Sequence, residues 1–299
     1  MRVLLDRRQD PPAREAVDRL VSLPFVVVGV TQGDVDPAWL ELCDVALAED
    51  DPVLDRVEEN LVARPIAGTT LALLLRAALH RSIADGLVAE SSAYSVLQSG
   101  PEFAAWRAAN PPRTDRDDGQ RVRVERAGNT LVITLTRPQR LNALDAQMRD
   151  ELVEALALAS ADSGITSVEW RGEGRSFCAG GDLDEFGTRP DPASAHLVRL
   201  QRSVGRALAQ LGKPTVTHLH GPCMGSGIEL AAFTRTVVAS PDTTLALPEI
   251  GLGLVPGAGG TVSLTRRIGR LRTARLAFSA VPIEATTAKE WGLVDLMES

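Results

Sequence analysis

Two glutamates, Glu229 and Glu249, lie twenty residues apart in the stretch from Gly221 to Gly260, each among glycines and apolar residues with almost no cation nearby. A carboxylate in such surroundings costs stability unless it is used. Two of them in one dry pocket do not both ionise easily, so one is expected to carry a raised pKa, and such a pair suits general acid and base work. Gly225-Ser226-Gly227 precedes the apolar run from Ile228 to Phe233, the pattern of a loop opening a short helix with Glu229 in its first turn. Amides at that point have no helical partner and carry the positive end of the helix dipole, which suits a developing oxyanion. Glu249 follows Pro248 and precedes the turn Gly251-Leu-Gly253, and Pro256 fits the first position of another helix. A second amide would have to come from elsewhere. The stretch from Ser176 to Phe186 can supply it, because Ala179, Gly180 and Gly181 let backbone approach a ligand closely.

From roughly Arg121 to Leu296 the sequence resembles the crotonase, or enoyl-CoA hydratase/isomerase, superfamily. The resemblance rests on Arg137-Pro-Gln-Arg-Leu-Asn-Ala-Leu144, Ser176 to Phe186, Lys213-Pro214 with His220-Gly221, Gly225 to Leu230, and Leu247 to Gly260, in the family's order and with its glutamate spacing. It implies an α/β fold, the crotonase-like ββα superhelix. It implies that Gly181 and Ser226 donate main-chain N–H groups to an oxyanion hole, and that Glu229 and Glu249 are the catalytic pair. Leu141, Ala179, Gly181, Asp182, Leu183 and Pro248 are the positions implied to border substrate.

The implied substrate is an acyl-CoA thioester, with coenzyme A as part of the substrate and no separate cofactor or metal. Hydration or its reverse is favoured, since isomerases and several other members manage with one glutamate or with different residues. An isomerase, thioester hydrolase or decarboxylase, or a non-catalytic partner subunit, are the competing readings. Relatives imply a homo-oligomer, trimer or hexamer. They usually continue into C-terminal helices that cap the acyl pocket, whereas this sequence stops at Ser299, so residues 1–110 are expected to take over some of the covering. Two departures stand out: Asp184 replaces a lysine near the adenine end of coenzyme A, and His218 replaces a small residue.

Other chemistries find little support. Met224 and Ile228 flank Ser226 where a serine-hydrolase elbow needs glycines, and neither Gly251-Leu-Gly253 nor Gly257 to Gly260 makes a nucleotide-binding fingerprint. His218 and His220 lack a third metal ligand. Cys43, Cys178 and Cys223 are odd in number and lack ligand spacing, which points to a reduced, cytoplasmic setting. A net charge of −7 gives no sign of nucleic-acid binding, and the most apolar run, Leu23 to Val30, is too short to span a bilayer.

The elements that must position these residues fall into two parts. Residues 1–117 carry 12 Arg against 19 Asp plus Glu, whereas residues 118–299 carry 20 basic and 20 acidic side chains, a shift that supports a boundary. The expected division is an N-terminal accessory domain at 1–110, small and α/β or mostly helical, a Pro-rich charged linker at 111–120, and a core at 121–299. A βαβ-like start is expected from strands at 2–5 and 24–30 around a helix at 12–23, then helices at 52–63, 69–84 and 87–98. In the core, alternation on either side of Gly128-Asn129 predicts a β-hairpin, and Asp145 is placed to cap a helix. A strand at 166–170, a long amphipathic helix through Leu197 to Leu211 and a strand at 214–219 complete a parallel, helix-covered sheet. Arg266, Arg267, Arg270, Arg272 and Arg275 read as a solvated helix face rather than a phosphate grip.

Overall fold

The computed structural model describes residues 1–6, 13–21, 23–113, 119–188 and 191–298. The expected helix start at Pro12 and linker residues 114–118 lie outside that set. At the N-terminus β1 (Arg2–Asp6), α1 (Arg14–Val21), β2 (Val28–Gln32), α2 (Pro37–Leu42) and β3 (Val45–Ala48) alternate, and the strands pair in parallel in the order β1-β2-β3. The βαβ start is therefore extended by a strand too short to show a pattern.

Four helices follow: α3 (Leu54–Ala63), α4 (Pro65–Arg76), α5 (Ile83–Gln98) and α6 (Pro101–Ala109). The helix expected at 69–84 instead ends at Arg76. A 3-10 turn at Ala78–His80 breaks it, and Ser82 restarts the chain by accepting a hydrogen bond from the Asp85 amide at 3.1 Å. A serine cap competes with helix continuation because it satisfies an amide that the helix would leave unpaired.

The second part begins with the hairpin β4 (Val122–Ala127) and β5 (Thr130–Leu135), then α7 (Ala146–Ala161), capped by Asp145 through the Met148 amide at 2.8 Å. β6 (Ser167–Gly172), α8 (Pro192–Gln201), α9 (Val204–Gln210), β7 (Thr215–Leu219), β8 (Pro222–Met224), α10 (Ser226–Ala231), β9 (Thr236–Ala239) and β10 (Thr244–Ala246) come next. The chain continues through α11 (Gly260–Ile268), α12 (Arg270–Ser279), β11 (Ile283–Glu284), α13 (Ala285–Trp291) and β12 (Leu296–Met297). The single amphipathic helix expected through Leu197 to Leu211 is two, because Ser203 caps α9 through the Arg206 amide at 3.2 Å.

The main sheet has six strands in the order β12-β9-β7-β6-β5-β4, parallel except for the hairpin, and β11-β10-β8 form a smaller one. This is the α/β superhelix expected of the second part. Its core is shared with the first: Val57, Leu71, Leu75 and Phe103 belong to the same buried cluster as Leu152, Ile228 and Phe278. Four of the five arginines expected on a solvated face are ties, and Arg272 is exposed. Arg270 donates to the Cys43 and Leu40 carbonyls, Arg275 pairs with Asp51, Arg266 donates to the Arg81 carbonyl at 2.6 Å, and Arg267 reaches Asp295. No single described helix is long and apolar enough to cross a membrane.

Asn142, fully buried, joins the motif at 137–144 to the loop that follows β6. Its Oδ1 accepts from the Arg137 amide at 2.8 Å, and its Nδ2 donates to the Glu173 and Ser176 carbonyls, both at 2.8 Å. Its φ of 54° lies in the left-handed region, which asparagine tolerates better than most residues. Asn142→Ala strands one amide and leaves two carbonyls short of a donor, so it should cost about 3 kcal/mol, read by urea denaturation.

Candidate active site

The chain enters α10 through Gly225, whose φ of 47° and ψ of −120° suit glycine alone. A methyl group there would lie 2.4 Å from Glu249 Oε1, so this glycine lets a carboxylate lie against the backbone. Every residue of α10 is buried, and Glu229 is 2% exposed. Its carboxylate points at the start of α11, where Oε2 accepts from the Ala258 and Gly260 amides, each at 2.8 Å. Pro256, expected at the first position of that helix, lies in the loop before it. α11 opens only at Gly260, after Gly259 at a φ of 111°.

Glu249 follows the exposed Pro248 and opens a 3-10 turn at Glu249–Leu252. It is 8% exposed, and its Oε2 is buried with no hydrogen-bond partner. Burial pushes Glu229 from 4.5 up to about 7, against the pull of the amides of Ala258, Gly260 and Gly257. Glu249 is pushed well above the ordinary carboxylate range, first by burial and then by the charge of Glu229. Burial without donors holds a carboxyl neutral, whereas amide donors favour the anion.

The loop after β6 packs directly on the start of α10. The Met224 amide donates to the Cys178 carbonyl at 3.1 Å, and a methyl group on Gly227 would meet that same oxygen at 2.2 Å. Leu144 pairs with Gly181 in a parallel bridge, with Leu144 N–H donating to the Gly180 carbonyl and Asp182 N–H to the Leu144 carbonyl. That pattern turns the Gly181 amide away from the bridge. Gly181 and Ser226 both line one cavity of about 200 Å³ together with Glu229 and Glu249, and neither amide bonds to another described group of the chain. Two unpaired N–H groups beside two buried carboxyls can hold an oxyanion while protons move next to it.

Of the other expected positions, Asp182 lines the cavity while its carboxylate is held by Arg137 at 2.7 Å, bracing the loop. Leu141 and Ala179 are joined by a 2.9 Å backbone bond behind that loop, and Leu183 and Pro248 are exposed outside the cavity. Asp184 takes the Arg113 amide at 3.0 Å and its Nε at 3.1 Å, which ties the chain before the 114–118 stretch to the loop. His218 sits beside Glu298 at 3.2 Å, and no group of three or more His, Cys, Asp or Glu side chains among the described residues could hold a metal ion.

One wall of the cavity comes from the first part of the chain. Leu87, Glu90, Ser91, Tyr94 and Gln98 of α5 face it, and α8 adds Ala195, Val198 and Arg199. Arg199 stacks over the Tyr94 ring at 4.7 Å and donates to Ser91 Oγ at 3.0 Å. α5 of the first part therefore reaches the cavity that both glutamates line. Glu90 is a site residue that sequence reasoning missed. Its only signal was position: it stands three residues after Leu87 and four before Tyr94, a carboxylate on an apolar stripe.

A family model described as enoyl-CoA hydratase/isomerase matches residues 125–298. The chain is 36% identical over 171 residues to the 2,3-dehydroadipyl-CoA hydratase of Escherichia coli, covering 57% of this chain and 66% of that protein. It is 35% identical over 169 residues to the 1,2-epoxyphenylacetyl-CoA isomerase of the same organism, covering 55% and 64%. The match thus spans slightly under two thirds of these curated relatives. Among solved structures, the enoyl-CoA hydratase of Thermoplasma volcanium superposes with a TM-score of 0.56 at 33% identity, over 60% of this chain and 72% of that one.

The raised carboxyls give a sign for stability against pH. Below about pH 4.5 they are protonated in folded and unfolded chains alike, and the stability is fully present. As pH rises through about 7 for Glu229, the unfolded chain has already ionised and stability is lost. The urea midpoint should therefore fall across that window, and less steeply in Glu229→Gln.

Proposed function

This chain belongs to the enoyl-CoA hydratase/isomerase family, and we propose that within it the protein adds water to a 2-enoyl-CoA thioester, or removes it from the 3-hydroxyacyl form. The observation that carries this reading is that two buried glutamates and two unpaired amides line one cavity. In this reading the Gly181 and Ser226 N–H groups hold the thioester oxygen and draw electron density from the alkene, which makes C3 electrophilic. The negative charge that develops on that oxygen during addition is what the two donors stabilise, and one such donor is typically worth about 2.7–4 kcal/mol. Having serine at 226 leaves the donor intact, because the group used is main chain.

The two carboxyls divide the proton work by environment. Glu229, with amide donors on Oε2, is the group better able to exist as an anion, and it takes a proton from the attacking water. Glu249, buried without a partner on Oε2, holds its proton to higher pH and delivers it to C2. Water loses one proton to Glu229 while its hydroxide joins C3, and C2 gains the proton from Glu249. The atoms balance, and proton exchange between the two acids restores the starting state. The only cofactor the reading asks for is the coenzyme A of the substrate itself.

Loss of enoyl absorbance from crotonyl-CoA, with a 3-hydroxyacyl product identified by mass spectrometry, is the direct test. The competing isomerase reading predicts instead that a 3-enoyl thioester is converted to the 2-enoyl form without uptake of water. Glu229→Gln and Glu249→Gln should each lower kcat by about 10²–10⁴, the usual worth of a positioned acid or base. Near-normal hydration in either would remove that residue from the mechanism. The wild-type rate should rise with pH as Glu229 loses its proton near about 7 and fall again at higher pH as Glu249 loses its own.

A further inference from the structure

We propose that Glu90, contributed by α5, is a positioning residue for the acid–base pair: it holds the Ala258–Thr261 turn in place, and with it the two amides that bind the Glu229 carboxylate. Four consecutive amides at the start of α11 are dealt alternately to two carboxylates. Ala258 and Gly260 donate to Glu229 Oε2 at 2.8 Å each, while Gly259 donates to Glu90 Oε1 at 2.6 Å and Thr261 to Glu90 Oε2 at 2.8 Å. The Thr261 hydroxyl adds a third donor to Glu90 Oε2 at 2.6 Å.

Glu90 is 1% exposed, and both its oxygens are occupied by donors fixed in the fold. It therefore acts through the turn rather than on substrate. Three donors and no acceptor favour the anion, which a neutral acid could not replace without breaking a bond. Burial and the charge of Glu229 push the other way, up to about 8, so the two carboxylates resist ionising together. The remaining groups that face them are Glu249, Tyr94 along α5, Arg199 from α8 over the Tyr94 ring, and Cys178 from the glycine loop. His196 touches the same helix face through Ser91 Oγ at 2.9 Å.

This inference rests on the proposed role of Glu229, so its test includes a readout that needs no turnover. Infrared pH titration of the full chain, with the Glu229 band assigned by its loss in Glu229→Gln, gives the ionisation midpoint directly. Glu90→Leu offers the Gly259 and Thr261 amides no acceptor, so the turn should loosen, Glu229 should lose amide donors, and that midpoint should rise by about one pH unit. Glu90→Gln keeps one acceptor oxygen and should raise it by a smaller step. An unchanged or lowered midpoint in folded Glu90→Leu overturns the proposal. Should Glu90→Leu fail to fold, Glu90→Gln serves, and no rise in it overturns the proposal.

In turnover of crotonyl-CoA, kcat of Glu90→Gln should drop about tenfold with KM little changed, and the acid limb should move by the infrared shift. An infrared shift without a moved limb overturns the link to catalysis. A wild-type protein that does not hydrate any enoyl thioester sinks the hydratase reading alone, while the infrared result still decides the coupling.

Discussion

Main-chain amides at the start of α11 are the only hydrogen-bond donors that the Glu229 carboxylate finds among the described residues, and the rest of the site depends on that arrangement. An ionised carboxylate cannot be buried without donors, yet a salt bridge would neutralise it as a base. Amides solve both problems, because they stabilise the anion without supplying a formal opposite charge. The turn can present them only because glycines stand at 257, 259 and 260. A methyl group on Gly260 would lie 2.7 Å from Glu229 Cγ.

Glu249 receives the opposite treatment. Glu249 is laid against Gly225, with one oxygen buried and unpartnered, so the same degree of burial produces a different proton affinity. Part of the wall of their cavity comes from α5, a helix far earlier in the chain, whose Leu87 and Tyr94 line it with the glutamates and whose packing is locked by Arg199. The first hundred residues are thus joined to the site by a shared core, and by arginine ties from α11 and α12.

The opposing loop is held with equal care. Asn142 and Arg137 grip it from the 137–144 motif, the one through backbone carbonyls, the other through Asp182. Glycine at 227 then lets it lie against α10 close enough for both free amides to face one cavity. Asp182 and Asn142, polar and buried, are scaffolding of this kind.

Much of the second part was legible in the sequence, because its information is local. Period-two runs around Gly128-Asn129 made the hairpin, Asp145 capped its helix, and the glycine-rich stretches at 179–181 and 225–227 marked where backbone meets backbone. The two glutamates stood out by their apolar neighbours. Helix breaks at 77–82 and 202–203 were missed because one serine cap outweighs a continuing apolar period only once the neighbouring helices have chosen its direction. Which glutamate holds its proton more tightly, the contacts of Glu90, and the use of four arginines as ties all depend on contacts between segments distant in sequence. Such contacts exist only after the chain has folded, since burial and donor geometry are properties of the assembled core and not of any stretch within it.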